Sequence, residues 1–173
     1  MSHAAEGQTV NLRAGGSFTK LVQDRASYTN TTGFTAGISL DIPAPGLPLR
    51  IGASWVRKHE SAEHIEVPAL VLFNLLRAHA FAGVGLSVGI RTGGVVPCGT
   101  GEPCPPAKLS RPRTPVARFD LSGAVTAGFR IPLSDTLSYG IEVVYLHGLV
   151  EYDSLDGKPR TLLATMGIGI PLR

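Results

Sequence analysis

The sequence predicts an all-β fold: eight antiparallel strands in an up-and-down meander that closes into a barrel. Three observations carry this expectation. Side-chain character alternates with period two in eight separate segments. The links between those segments alternate short with long. The 21 glycines and 13 prolines among 173 residues leave little room for long helices. The length suits residues 1–9 as an N-terminal tail and residues 10–173 as a single barrel domain. With 43% apolar and 17% charged residues the chain is too hydrophobic for a disordered tail. No run reaches the roughly 18 apolar residues of a spanning helix, a test that strands escape because their signal is alternation.

Successive strand side chains point to opposite faces, so each segment is read by parity. Residues 10–19 put Asn11, Arg13 and Ser17 on one side. Residues 33–41 set Phe34, Ala36, Ile38 and Leu40 against Thr35, Gly37, Ser39 and Asp41. Residues 49–58 set Leu49, Ile51, Ala53 and Trp55 against Arg50, Gly52, Ser54 and Lys58. Residues 64–74 are least regular, because Leu70 and Leu72 share the face of Glu66. Residues 79–91 oppose Ala80, Ala82, Val84, Leu86, Val88 and Ile90 to Gly83, Gly85, Ser87, Gly89 and Arg91. The clearest segment is 118–131, apolar from Phe119 to Ile131 at odd positions and small, polar or charged at even ones. Residues 136–149 place Tyr139, Ile141, Val143 and Tyr145 opposite Ser138, Gly140 and Glu142, and residues 161–170 are a weaker eighth.

The links 43–47, 75–78 and 132–135 have the composition of tight turns. Links 20–32, 92–117 and 150–159 are long, and 59–63 is shorter. In a meander this puts the turns at one end and the loops at the other, as in transmembrane barrels with short periplasmic turns and longer outer loops.

The apolar face could line a soluble barrel or meet lipid. The opposite face decides, because its small residues suit the narrow lumen of eight strands. That lumen would enclose Arg13, Asp41, Arg50, Lys58, Glu66, Arg91, Asp120, Arg130 and Glu142. Enclosed charges must pair. The expectation is two ion-pair layers, Asp41, Arg50 and Arg130 near the turns and Lys58, Glu66, Arg91 and Asp120 near the loops, with Arg13 and Glu142 between them. Trp55, Phe73, Phe119, Phe129, Tyr139 and Tyr145 then become interfacial aromatics.

The segments Gly33-Phe-Thr-Ala-Gly-Ile-Ser-Leu-Asp-Ile-Pro, Ile65-Glu-Val-Pro-Ala-Leu, Ala80-Phe-Ala-Gly-Val-Gly-Leu-Ser-Val-Gly and Phe119-Asp-Leu-Ser-Gly-Ala-Val-Thr-Ala-Gly-Phe-Arg-Ile-Pro-Leu together resemble the PorT-like outer-membrane β-barrel family. The resemblance runs from about Val10 to the end, with Glu66 and Phe81 to Gly83 on its motifs. It implies an eight-stranded outer-membrane barrel, carries no catalytic residues, and links some members to secretion machinery. The chain departs from that pattern in showing no signal peptide and in ending Ile170-Pro-Leu-Arg instead of on an aromatic residue.

Cys98 and Cys104 are the only cysteines. Their spacing fits neither a redox motif nor a zinc site, so a small loop disulfide between them is expected, with two free thiols as the alternative. His147, with Glu151 and Tyr152 after it, is the best candidate base for a lipid-modifying hydrolase, but no serine stands two residues on. His59-Glu-Ser-Ala-Glu-His64 lacks the helical spacing of a zinc motif, and Asp153-Ser-Leu-Asp-Gly lacks the ligands of a calcium loop. No metal or cofactor is expected. The net charge is +3, with Lys108, Arg111, Arg113 and Arg118 in or beside the proline-rich loop 92–117. Without interleaved aromatics this is no nucleic-acid signal, and anionic outer-membrane lipids or other outer-membrane or secretion-machinery proteins are the partners it suits. The expected role is a structural or interaction component of the outer membrane, not an enzyme. The alternatives are the hydrolase and a soluble ligand-binding barrel.

Overall fold

The computed structural model describes residues 7–23, 31–44, 47–58, 62–75, 79–93, 119–150 and 157–172. They form a closed barrel of eight strands: β1 (Thr9–Gln23), β2 (Thr31–Ile42), β3 (Leu49–Lys58), β4 (Ala62–Leu75), β5 (Ala80–Gly93), β6 (Phe119–Ser134), β7 (Leu137–Gly148) and β8 (Gly157–Pro171). Each strand is antiparallel to its sequence neighbour, and β1 closes onto β8 from Thr9↔Pro171 to Gln23↔Gly157. Closure leaves no free sheet edge.

The strands tilt. The row of paired residues starting at Asp41 runs through Arg50, Leu70, Gly85, Ala124, Leu146, Thr161 and Thr19 and meets β2 again at Thr31, ten residues from its start. Such a stagger is the geometric condition for closing a twisted sheet.

Alternation holds around the barrel. Leu12, Phe34, Ile38, Ile51, Val84, Leu86, Val125, Ile141 and Met166 are exposed on the outside, while Ser17, Thr35, Ser87, Ser122 and Thr126 are buried inside. Small lumen residues make space for large ones. A Cβ at Gly89 would stand 2.5 Å from Glu66 Oε1, and one at Gly128 would stand 2.6 Å from the Phe81 ring.

Several strands outrun their sequence signal. β1 reaches Gln23 and β8 starts at Gly157, taking in residues expected to be loop. β6 continues past Pro132, with a register shift between Pro132 and Ser134 before the two-residue turn 135–136. Proline cannot donate to the ladder and is tolerated where pairing is already irregular. The same chemistry interrupts β3–β4, where pairing skips from Ile51↔Ala69 to Ser54↔Glu66 around Pro68.

Candidate functional site

Two networks of charge fill the lumen. At the turn end the Arg50 guanidinium donates from Nε to Asp41 Oδ1 at 2.5 Å and from Nη2 to Oδ2 at 2.8 Å, while Nη1 donates to Glu142 Oε1 at 2.8 Å. Arg13 pairs with the other Glu142 oxygen, and Arg130 pairs with Asp41. The Thr126 hydroxyl donates to Glu142 Oε1 at 2.6 Å. The Phe81 ring underlies Arg50 at 4.8 Å and Arg130 at 5.7 Å, adding cation–π attraction.

At the loop end Lys58 Nζ lies 2.5 Å from Glu66 Oε1 and 2.9 Å from Asp120 Oδ2, and the Ser87 hydroxyl donates to Glu66 Oε2 at 2.7 Å. Arg50, Lys58 and Glu66 are each at most 2% exposed. Among the described ion pairs the turn-end network joins three bases to two acids and the loop-end network joins Lys58 to two acids.

Arg13 and Glu142 thus belong to the turn-end network and not to a separate middle layer, because Arg50 bridges Asp41 to Glu142. The middle is partly apolar. A cavity of about 30 Å³ touched by Arg13, Glu142 and Glu66 also has Leu70, Val144, Leu146 and Leu163 in its wall. These leucines and valine are buried with Val56, Leu72 and Phe81. A second cavity, of about 20 Å³, lies against Arg13, Arg50 and Arg130. Either holds a water or two at most, since one water needs roughly 10–15 Å³. Purified protein in planar bilayers is therefore expected to give no stepwise, porin-like conductance at neutral pH. Regular open-channel steps would contradict this plugged geometry.

Arg91 lies at the loop end in register with His64, which is buried and turned inward. Glu63 precedes it on the opposite parity, so this acid and imidazole of the His59-to-His64 segment are split between faces, and His59 to Ser61 lie outside the described residues. Among the described residues no group of three or more His, Cys, Asp or Glu could hold a metal ion. Cys98, Cys104, Lys108, Arg111, Arg113 and Arg118 also lie outside them.

The outer aromatics fall in two bands. Phe119, Trp55 and Tyr145 lie toward the loop end, and Phe73, Phe129 and Tyr139 toward the turn end. The Trp55 ring stands 6.3 Å from Phe34, which with Phe18 extends the loop-end band beyond the aromatics the sequence singled out. Phe81 and His64 were missed as lumen residues. Counting back by twos from Arg91 and from Glu66 finds them, but Phe81 sits between two alanines and offers no apolar contrast. His147 is on the outer face, with Nδ1 3.3 Å from the Tyr145 hydroxyl. Among the described residues no serine, threonine or cysteine is hydrogen-bonded to it, while Glu151 and Tyr152 lie outside them.

A closed eight-stranded meander with charge inside and apolar surface outside is the architecture of bacterial outer-membrane barrels. Solved structures of that class match across nearly the whole chain. Neisserial surface protein A superposes with TM-score 0.60 at 11% identity, over 96% of this chain and 100% of that one. The outer membrane enzyme PagL gives 0.54 at 11%, over 95% and 99%. Ail, the attachment invasion locus protein of Yersinia pestis, gives 0.50 at 16%, also over 95% and 99%, in a complex with the heparin analogue sucrose octasulfate. At these identities the likeness is one of fold. No protein-family model and no curated protein matches the chain.

Proposed function

We propose that this chain is an integral outer-membrane β-barrel whose lumen is plugged by its own side chains, and that it serves as a structural or protein-interaction component of that membrane. The observation that carries this is the inversion of polarity. Arg50, Lys58, Glu66 and Glu142 are buried in the lumen while Leu12, Phe34, Val84, Leu86, Phe129 and Met166 are exposed outside. In water that outer belt would be an apolar patch far beyond what monomers tolerate, whereas in lipid it is the expected surface. Strands of 10 to 16 residues are long enough to cross.

A plugged lumen leaves the links between strands as the surface for partners, and the proline-rich stretch of sequence between Gly93 and Phe119 is the longest of them. The quoted segments' resemblance to the PorT-like family would add secretion machinery to the partners, but no family model matches the chain. The fold alone does not choose a role, since it carries a surface protein, an attachment protein and an enzyme. An interaction role fits better than hydrolysis because no nucleophile is bonded to His147 among the described residues.

Alkaline carbonate washing of membranes from expressing cells tests the reading. The protein is expected to stay in the pellet, to need detergent for extraction, and to migrate faster on a gel before boiling than after it. A monodisperse protein free of detergent would instead favour a soluble ligand-binding barrel.

A further inference from the structure

The exposed charged side chains on the described strands are all cations, Lys20, Arg57, Lys158 and Arg160, and all lie toward the loop end. Three of them cluster on β1 and β8. Lys20 pairs in register with Arg160, and Arg160 pairs with His147 on β7. One row across three adjacent strands therefore sets two cations and an imidazole side by side on the outer face. Lys158 stands one outward position above Arg160.

Like charges directly opposite on one sheet face repel. No described carboxylate forms an ion pair with this row, and the salt bridges among the described side chains all lie in the lumen. Lone interfacial lysines and arginines are common because their stems cover apolar surface while the head reaches water. That habit accounts for Arg57 but gives no reason to place two cations against each other.

The row is also prepared on its far side. The Tyr145 hydroxyl bonds His147 Nδ1 at 3.3 Å and orients the ring. Across from His147 stands Gly123, where an added Cβ would meet nothing nearer than the His147 carbonyl at 4.0 Å. One outward position below the row lie Phe18, Leu162 and Tyr145, so the row sits at the upper margin of the apolar belt, at headgroup depth. An anion here has an apolar wall beneath it and a guanidinium able to grip two oxygens.

We propose that Lys20, Arg160 and His147 form a binding site for the phosphate of a membrane lipid headgroup in the leaflet at the loop end, with Lys158 adding to its field. This rests on the membrane reading above. The acyl chains of such a lipid would lie along Leu162, Phe18 and Val143, and the phosphate would supply a counter-charge that no described carboxylate gives the row.

Native mass spectrometry of the detergent-released protein tests this with three probes: diphosphorylated lipid A, the same lipid stripped of phosphate, and inorganic phosphate. The wild-type chain is expected to retain diphosphorylated lipid A in preference to the dephosphorylated form. K20Q/R160Q is expected to bind it about thirty-fold more weakly, as for two basic residues lost near a membrane surface, and Arg57→Gln to change little. If the double variant fails to show the gel shift of a folded barrel, Lys20→Gln and Arg160→Gln are read singly, at about five-fold each. Equal retention by folded variants would overturn the site. Displacement of the lipid by equimolar inorganic phosphate would overturn the lipid assignment. A protein that inserts but shows either result refutes this site alone, whereas one that fails to insert refutes the membrane reading.

Discussion

Glu142→Ala is expected to destabilise the folded barrel by about 3–5 kcal/mol, the usual cost of removing one partner from a buried ion pair. Glu142 accepts from Arg50 at 2.8 Å and Thr126 at 2.6 Å and pairs with Arg13. Its loss leaves Asp41 as the only carboxylate in a network of three guanidinium groups. The effect exceeds the alanine's lost packing because the arginines stay buried while their counter-charge disappears. Urea unfolding in lipid vesicles, followed by fluorescence of Trp55, the single tryptophan, measures it. Asp135→Ala, in the exposed β6–β7 turn, serves as the control and should lie within about 0.5 kcal/mol of wild type. A Glu142→Ala barrel as stable as that control would mean that water reaches the turn-end network and screens it.

Lys58→Met should cost a similar amount, about 3–5 kcal/mol, for the opposite electrostatic reason. Lys58 bridges Glu66 at 2.5 Å and Asp120 at 2.9 Å, and Asp120 Oδ1 is buried with no hydrogen-bond partner among the described residues. Methionine fills the volume of the stem but leaves two carboxylates facing each other in the lumen. The triple variant Lys58→Met/Glu66→Gln/Asp120→Asn removes all three charges and should recover most of the loss, since neutral replacement of a whole buried cluster is often tolerated. The Ser87 hydroxyl, which donates to Glu66 in the wild-type chain, can still donate to the amide oxygen that E66Q introduces. The same unfolding assay reads both variants. If the triple variant is no better than Lys58→Met, the loop-end network contributes through its geometry and not through charge balance.

Period two was legible because a barrel strand has only two environments. From Phe119 to Ile131 the odd positions face out, and their side chains alone reveal it. Leu70 and Leu72 looked irregular only because the polar face was expected to be polar throughout. The lumen is a packed interior, and a leucine beside Gly85 or Gly83 fills it as well as an arginine would. The pairing inside the lumen was less legible. Arg13 reaches Glu142 across 129 positions of sequence, and which acid it meets depends on how far each strand slides past the next. Lys20 and Arg160 are further apart still, and Lys20 fell within a segment expected to be loop.

What the sequence determined by itself is local: eight alternating segments, the order of turns and loops, and the side of each strand that carries charge. Those follow from the two-residue repeat of an extended chain, which any short window displays. The tertiary structure decided which charges share a network, that Arg13 and Glu142 join the turn end, that Phe81 lies beneath two arginines, and that the outward cations of β1 and β8 stand together. Each of these depends on the ten-residue stagger and on β1 closing against β8. Closure joins the two ends of the chain, and no window of sequence contains both.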